Sequence, residues 1–282
     1  MSRNFELLQN IGKEEEYFQP DSLLKERAAA VATPATEHLA EPTPEIFDPS
    51  VAAPQRNVEP APVTTSEPLQ FAMESSQLAE LAKLVQRLFL LPGSEYNRTV
   101  VFTSSDAGNG CSWICARVGE LLASQVTGSV CLVDANLHSP TLHEQFGVPN
   151  HHGLADALRQ GGSIRGYVSQ LSRRNLALIS CGSEPNDSQA MLTTDRMRMR
   201  LSELRSEFDY VLIDCPSMSL SNEALALGAV ADGVILVLKA NATRKDRARN
   251  AVRDLQASKI KVLGAVLNQR TFPIPEKIYN KL

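Results

Sequence analysis

The feature that most constrains the fold is a series of short apolar runs that alternate with stretches of helical periodicity. The runs are TVVF (99–102), VCLVDA (130–135), LALISC (176–181), YVLIDC (210–215), GVILVLKA (233–240) and VLGAVLN (262–268). Continuous apolar runs are typical of strands that are buried on both faces, and intervening helices are typical of parallel strand connections. The sequence therefore predicts an α/β domain, with a mostly parallel central sheet and helices on both faces. A further amphipathic helix is predicted over Ser76–Leu91.

The chain before this domain divides into two parts. Residues 1–20 carry Phe5, Leu8, Ile11 and Phe18 near helical spacing, which predicts a short amphipathic docking segment, with a frayed start as the alternative. Residues 21–75 are rich in Pro, Ala and Glu, and Arg56 is the only basic residue against six acidic ones between residues 31 and 70. This composition buries too little apolar surface to offset the entropy of ordering, so we expect a disordered acidic linker before a domain at residues 76–282.

Charge and composition narrow the functional class. The net charge of -4 and the pI near 5.8 argue against nucleic acid as a partner, because nucleic-acid-binding proteins carry basic surfaces. The sequence lacks an apolar run long enough to span a bilayer and lacks the apolar core of a secretory signal, so we expect a cytoplasmic protein. The five cysteines include no CxxC pair, and we expect buried free thiols in place of a zinc site.

A loop of small residues follows the first predicted strand and leads into a helix. The segment TSSDAGNGCSW (103–113) has the parts of a phosphate cradle: glycines let backbone N–H groups approach an anion, and a helix N-terminus favours negative charge. Spacing places Gly110, Cys111 and Ser112 where a phosphate-binding loop has Gly, Lys and Ser or Thr. Cys111 therefore replaces the lysine, and Ser105 replaces the first glycine of the pattern. A generic strand-to-helix turn is the alternative for this segment alone.

Two aspartates end predicted strands further along the chain, Asp134 in LVDAN and Asp214 in VLIDCP. Ligands of parallel sheets collect at the carboxyl ends of the strands, and P-loop enzymes place an acid there that holds Mg²⁺ beside the loop Ser or Thr. Either aspartate alone is more typical of a strand-end cap. Together with the loop, and in this order, the two indicate a P-loop fold.

The segment LVDANLHSPTLHEQFGVPNHHGLADAL (132–158) resembles the corresponding motif of the bacterial tyrosine kinases of capsule and exopolysaccharide biosynthesis. The later segments ALALGAVADGVILVLKA and VLGAVLN and the tail FPIPEKIYNKL resemble the same family, so the resemblance covers residues 77–282. The family belongs to the P-loop NTPases of the deviant Walker type, which also include the partition and septum-site ATPases. The signature lysine of those ATPases would fall at Asp106 and is missing.

The resemblance implies ATP and Mg²⁺ as cofactors and assigns roles by position. It makes Asp134 and Asp214 the catalytic acids and Ser112, Asp134 and Asp214 the metal ligands. The cofactor-binding positions that it implies are Gly108, Asn109, Gly110, Cys111, Ser112, Trp113 and Asn268, the last of them at adenine. It also implies a membrane chain-length or export protein of polysaccharide assembly as partner and a possible homo-oligomer. The family carries several tail tyrosines as phosphorylation targets, whereas this tail has one, Tyr279, for which packing of the tail onto the domain is the favoured interpretation. Glu80 and Lys83 match part of the family's assembly motif, but Gln86 replaces its final arginine.

Several departures from the family pattern weaken the expected catalysis. Cys111 removes the mobile cation, Asn136 replaces the second acid of the DxD motif, and His138 replaces the arginine that follows it. We therefore expect a regulator or scaffold with impaired or absent phosphotransfer. The first alternative is an active kinase or ATPase whose missing cation comes from elsewhere, such as Lys239, Arg244 or a neighbouring subunit. The second is a partition-type ATPase.

Overall fold

A computed structural model describes residues 75–91, 97–183, 192 and 195–270. The predicted N-terminal segment, nearly all of the predicted linker and Tyr279 lie outside these residues and stay predictions. No helix among the described residues has the length and apolar character to cross a membrane.

The described elements alternate along the chain as the apolar pattern predicts. The helices are α1 (Ser75–Val85), α2 (Cys111–Gln125), α3 (Leu142–Phe146), α4 (Leu154–Arg159), α5 (Asp195–Glu207), α6 (Glu223–Gly228) and α7 (Lys245–Ala257). The strands are β1 (Thr99–Ser104), β2 (Val130–Asp134), β3 (Ser169–Gln170), β4 (Leu176–Ile179), β5 (Tyr210–Asp214), β6 (Gly233–Lys239) and β7 (Val262–Asn268). A π-helical turn, Gln86–Leu90, continues α1, and a 3₁₀ turn, Ile164–Tyr167, precedes β3.

The strands form one sheet in the order β3-β4-β2-β5-β1-β6-β7. Neighbours pair in parallel except β3, which runs antiparallel to β4 at one edge. Strand β5 lies between β1 and β2, with Phe102 opposite Asp214 on one side and Asp134 opposite Asp214 on the other. The fold therefore confirms the predicted α/β class and places both aspartates side by side at the carboxyl ends of neighbouring central strands.

Alternate strand residues feed two separate cores, as the two-residue period of a strand requires. In β1, Val101 packs into the core that α4, α5, α6 and α7 cover, whereas Val100 and Phe102 pack into the core that α1, α2 and α3 cover. All six residues of β1 are buried, which explains why the sequence shows a continuous apolar run instead of alternation. The helices thus cover both faces, as predicted.

The differences from the predicted elements lie at their ends. The predicted helix 76–91 is α-helical only to Val85, and its last residues form the π-helical turn. Three of the predicted strands end earlier than their apolar runs, which continue to Ala135, Cys181 and Cys215. These residues are buried although they lie beyond the strands, so the loops continue the apolar pattern. Strand β3 was not predicted, since two residues carry no periodic signal.

Gly153 lies where helix α4 meets the end of β4 with almost no space between the backbones. A Cβ atom at Gly153 would come within 2.1 Å of the Ser180 carbonyl oxygen and 2.4 Å of the Gly182 nitrogen. Asp156 completes the joint by accepting hydrogen bonds from the Gly153 and Ser183 N–H groups, each at 3.1 Å.

We expect Gly153→Ala to lower the free energy of unfolding by about 3 kcal/mol, because backbone atoms must move to admit the methyl group. The measurement is urea unfolding followed by circular dichroism. Gly161→Ala is the matched control, since a Cβ atom there meets nothing within 4 Å, and it should change stability little. Equal effects of the two substitutions would contradict the close approach.

Candidate phosphate-binding site

The small-residue loop between β1 and α2 folds as an open turn with two glycines in the left-handed region. Gly108 has a φ of 77° and Gly110 a φ of 80°, a conformation that favours glycine. A Cβ atom at Gly108 would meet nothing within 4 Å, so the space above it is open. The loop therefore has room for a ligand directly against its backbone.

The first turn of α2 presents backbone donors toward this space. Ile114 makes the first hydrogen bond of the helix ladder, to the Gly110 carbonyl oxygen at 3.1 Å. The N–H groups of Cys111, Ser112 and Trp113 have no acceptor among the described residues. Free N–H groups at a helix N-terminus form an anion-binding site with the helix dipole behind them. The Trp113 ring is partly buried against the core under this helix.

Asn109 and Asn268 hold the loop in place. The buried Asn109 amide donates to the Ser105 hydroxyl and the Val237 carbonyl oxygen, each at 3.3 Å. The Asn268 amide, at the end of β7, donates to the Asn109 carbonyl oxygen at 2.9 Å. A Cβ atom at Gly110 would lie 2.4 Å from that same Asn268 nitrogen. The structure thus places Asn268 against the loop, whereas its contact with adenine stays a prediction.

Asp134 is enclosed by backbone donors. Its carboxylate accepts hydrogen bonds from the N–H groups of Asn136 and Thr141 at 3.2 Å and of Leu142 at 3.1 Å. Burial raises its pKa to about 7, although these three bonds oppose the shift. A carboxylate has about four acceptor positions, so Asp134 keeps limited capacity for a further ligand.

Asp214 is buried next to Asp134, but its carboxylate does not accept comparable hydrogen bonds from the described backbone. Neither carboxylate oxygen has a hydrogen-bond partner among the described residues. Burial, together with repulsion from Asp134, raises its pKa to about 8, and the nearby Ser112 hydroxyl and Cys111 thiol offset part of the shift without completing a hydrogen bond. A fully buried carboxylate without a partner is costly, which is typical of a group that pairs with a ligand cation.

The oxygen atoms of Asp214, Asp134 and Ser112 fit Mg²⁺, which prefers hard oxygen ligands and few carboxylates. The described residues contain no group of three or more His, Cys, Asp or Glu side chains arranged to hold a metal ion. Phosphate and water oxygens would therefore have to complete the coordination, as is usual for Mg²⁺ bound with a nucleotide.

Cys111 places a neutral group where a positive charge is expected. The residue is partly exposed, yet its thiol is enclosed, and burial followed by the negative charge of Asp214 raises its pKa well above the ordinary value. Cys115 and Cys215 lie close to it and raise the pKa further. The side of the loop nearest Asp214 therefore carries a thiol that is neutral at pH 7.

The structure shows two polar pairs near the site that were not predicted from the sequence. His138 Nε2 lies 3.3 Å from Oε1 of Glu223, whose side chain is only 1% exposed. Burial raises the pKa of Glu223, and His138 offsets part of that shift. Arg247, at the start of α7, forms an ion pair with Asp106 of the loop. The sequence shows only a basic run that contains Arg247, and such a run is most often an exposed helix face.

A family model described as the cellulose biosynthesis protein BcsQ matches residues 98–258, more than half of the 282-residue chain. The chain belongs to this family. Its match with the P-loop kinases is equally clear: it is 32% identical over 171 residues to the tyrosine-protein kinase YwqD of Bacillus subtilis (strain 168), covering 61% of this chain and 72% of YwqD. This BcsQ-family chain is thus a P-loop domain homologous to bacterial tyrosine-protein kinases.

Other relatives are longer than the domain. The chain is 30% identical over 174 residues to the putative tyrosine-protein kinase EpsB of Ralstonia nicotianae, covering 61% of this chain but only 23% of EpsB.

Among solved structures, the chimerical protein CapA2B2 matches with a TM-score of 0.64 and 22% identity, over 69% of this chain and 85% of the chimera. The cobyrinic acid a,c-diamide synthase of Mycobacterium smegmatis, bound to an ATP analog and magnesium, matches with a TM-score of 0.52 and 22% identity, over 62% and 77%. These structures show the fold.

We expect Asp214→Asn to stabilise the protein without ligand at pH 8 by a few kcal/mol and to do so less at pH 5. The unfolded aspartate ionises near pH 4, whereas the buried one holds its proton until about pH 8. Between these values the folded state binds more protons, so wild-type stability falls as pH rises, and the amide removes the part of that slope that Asp214 contributes.

The measurement is urea unfolding at pH 5, 6, 7 and 8. Asp254→Asn, at an exposed position of α7, is the control and should leave the pH dependence unchanged. A parallel pH dependence in wild type and Asp214→Asn would show that the Asp214 carboxyl is not buried with a raised pKa.

Proposed function

We propose that this chain is a nucleotide-binding regulator of exopolysaccharide assembly in which phosphotransfer is impaired or absent. The observation that carries the proposal is Cys111: the backbone of a phosphate cradle is present, and a neutral thiol faces Asp214 at the position where the family has its lysine. The proposed cofactors are ATP and Mg²⁺.

The retained parts support binding. The free N–H groups at the start of α2 and the open space over Gly108 suit the oxygen atoms of a phosphate chain. Ser112, Asp134 and Asp214 would hold Mg²⁺, which when bound neutralises phosphate charge. Burial raises the pKa of both carboxyl groups, so binding of the cation would release protons and metal affinity should rise with pH.

The missing parts support impairment. A P-loop lysine supplies positive charge to the β- and γ-phosphates, and a buried neutral thiol supplies none. Loss of one preorganised electrostatic contact elsewhere costs on the order of 10²–10³ in rate. Asn136 has no charge to offer, and His138 is directed to Glu223 instead of replacing an arginine at the phosphates.

The place in polysaccharide assembly rests on the family description, which names cellulose biosynthesis, and on kinship with tyrosine-protein kinases. We infer a membrane chain-length or export protein as the partner, with the protein acting at the inner face of the membrane. Residues 1–20 on their acidic linker would extend that contact. Helix α1 offers a surface for self-association, since Glu80 and Lys83 form an exposed ion pair of 2.7 Å on it.

An active kinase or ATPase is the second candidate, and one observation favours it. Arg247 places a guanidinium group at the loop, so a cation is available near the phosphates even without the lysine. A partition-type ATPase has no comparable support, because Asp106 puts a carboxylate where such ATPases have their signature lysine.

The experiment that tests the proposal is calorimetric titration of ATP–Mg²⁺ into wild type and Cys111→Lys. We expect weak binding in wild type and a gain of at least about tenfold with the lysine, because tenfold corresponds to a contact of about 1.4 kcal/mol. Cys111→Met is the matched control, since it enlarges the side chain without adding charge. Tight binding and rapid turnover by wild type would contradict the impaired site.

Phosphotransfer is tested separately with radiolabelled ATP, Mg²⁺ and the full chain. We expect little or no phosphotyrosine in wild type, because a neutral thiol at Cys111 replaces the lysine of the phosphate loop. Phosphate on tyrosine that disappears in Asp214→Asn would establish the active-kinase alternative.

A further inference from the structure

The start of helix α7 and the residues before it contact the phosphate-binding loop. Arg247 stands in its first turn, and its side chain is 61% exposed. One guanidinium nitrogen, Nη1, pairs with Oδ1 of Asp106, which belongs to the loop between β1 and α2. A guanidinium group therefore lies beside the loop, with most of its surface still accessible.

The position of the start of α7 does not depend on the ion pair between Arg247 and Asp106 alone. The Thr243 hydroxyl accepts hydrogen bonds from the Lys239 N–H at 2.9 Å and from the Asn109 amide at 3.5 Å. The backbone N–H groups of Ala240 and Thr243 donate to the Asn268 and Lys239 carbonyl oxygens at 2.9 and 3.0 Å. The chain that leads into α7 is thus attached to the loop and to β7 before it reaches Arg247.

Asp106 is also held from its own side. The Ser105 hydroxyl donates to its Oδ2 at 3.0 Å, and the Ser104 hydroxyl donates to its carbonyl oxygen at 2.9 Å. Its side chain is only 22% exposed. A fixed carboxylate in an anion-binding loop repels a phosphate unless a cation neutralises it, and Arg247 is the group that pairs with it.

We propose that Arg247 is the chain's own substitute for the missing lysine. Its guanidinium group binds the terminal phosphates of the nucleotide in the loop, and Asp106 holds that group in place until the phosphates displace the carboxylate. The inference rests on the proposed function, since it requires that the loop bind a phosphate chain. Arginine suits the exchange because its planar fork binds carboxylate and phosphate oxygens with the same geometry.

This arrangement predicts that the loop binds phosphate more weakly than a loop with a lysine does. The guanidinium group is more than half exposed, so solvent and salt screen its attraction for phosphate more than they would screen a buried lysine. The phosphates must also compete with Asp106 for the same donors. Affinity should therefore rise when the carboxylate is removed and fall when the guanidinium is removed.

The test measures ATP–Mg²⁺ affinity for Asp106→Asn, Arg247→Ala and the double variant, in wild type and in the Cys111→Lys background. We expect Asp106→Asn to bind about tenfold more tightly and Arg247→Ala about tenfold more weakly. The double variant should lose the gain of Asp106→Asn, because the released guanidinium is its source.

Matched controls separate this contact from the general charge of the surface. Asp246→Asn and Arg249→Ala make the same charge changes at exposed positions of α7 and should alter affinity less than twofold. Inorganic tripolyphosphate should show the same order of variants as ATP, whereas adenosine binding should not respond to Arg247→Ala.

The outcomes are distinguishable. A gain in Asp106→Asn that persists in the double variant, or an Arg247→Ala effect no larger than that of Arg249→Ala, overturns the role of Arg247 and leaves the proposed function intact. Absence of ATP–Mg²⁺ binding in every variant, including Cys111→Lys, overturns the proposed function and the inference with it.

Discussion

The burial of strand β5 at the centre of the sheet is the constraint from which the rest of the site follows. Because β1 and β2 pair with it on both sides, its final residue, Asp214, has no access to solvent and lies opposite Asp134 and Phe102. The start of α2 brings Ser112 and Cys111 over the same point. A carboxyl group fixed there without a partner raises the free energy of the protein without ligand. Binding of a cation should therefore stabilise the protein more at this position than at an exposed site.

The distribution of charge around this point, more than the fold, is the basis for the proposal that phosphotransfer is impaired. The backbone of the cradle, both aspartates and the loop serine are in place, and the sheet order and helices are those of a P-loop domain. What differs is the source of positive charge. The thiol of Cys111 stays neutral in its buried setting, while the guanidinium group of Arg247 stands at the rim and is already paired. Preorganised charge dominates phosphoryl transfer, so this difference bears on catalysis more than on binding.

The apolar pattern was sufficient to predict the parallel sheet, because strands that are buried on both faces consist mostly of apolar residues. It also placed Asp134 and Asp214 at strand ends, and parallel order brought those ends together. The sequence could not show that three backbone N–H groups surround Asp134 while Asp214 has no hydrogen-bond partner among the described residues, since that contrast depends on the path of the loop at residues 136–141. Nor could it show the contact between Asp106 and Arg247, which are separated by 141 positions and carry no shared periodicity.

The hydrogen bonds of Asn109 and Asn268 have a consequence for local unfolding. Through them the loop at residues 105–110 is joined to β6 at Val237 and to the end of β7, segments that lie more than 120 positions away in the chain. Opening of the loop requires the release of contacts with both strands, so its local unfolding should be coupled to that of the β6–β7 edge of the sheet. A segment that looks like a surface turn in the sequence is thereby tied to the stability of two strands.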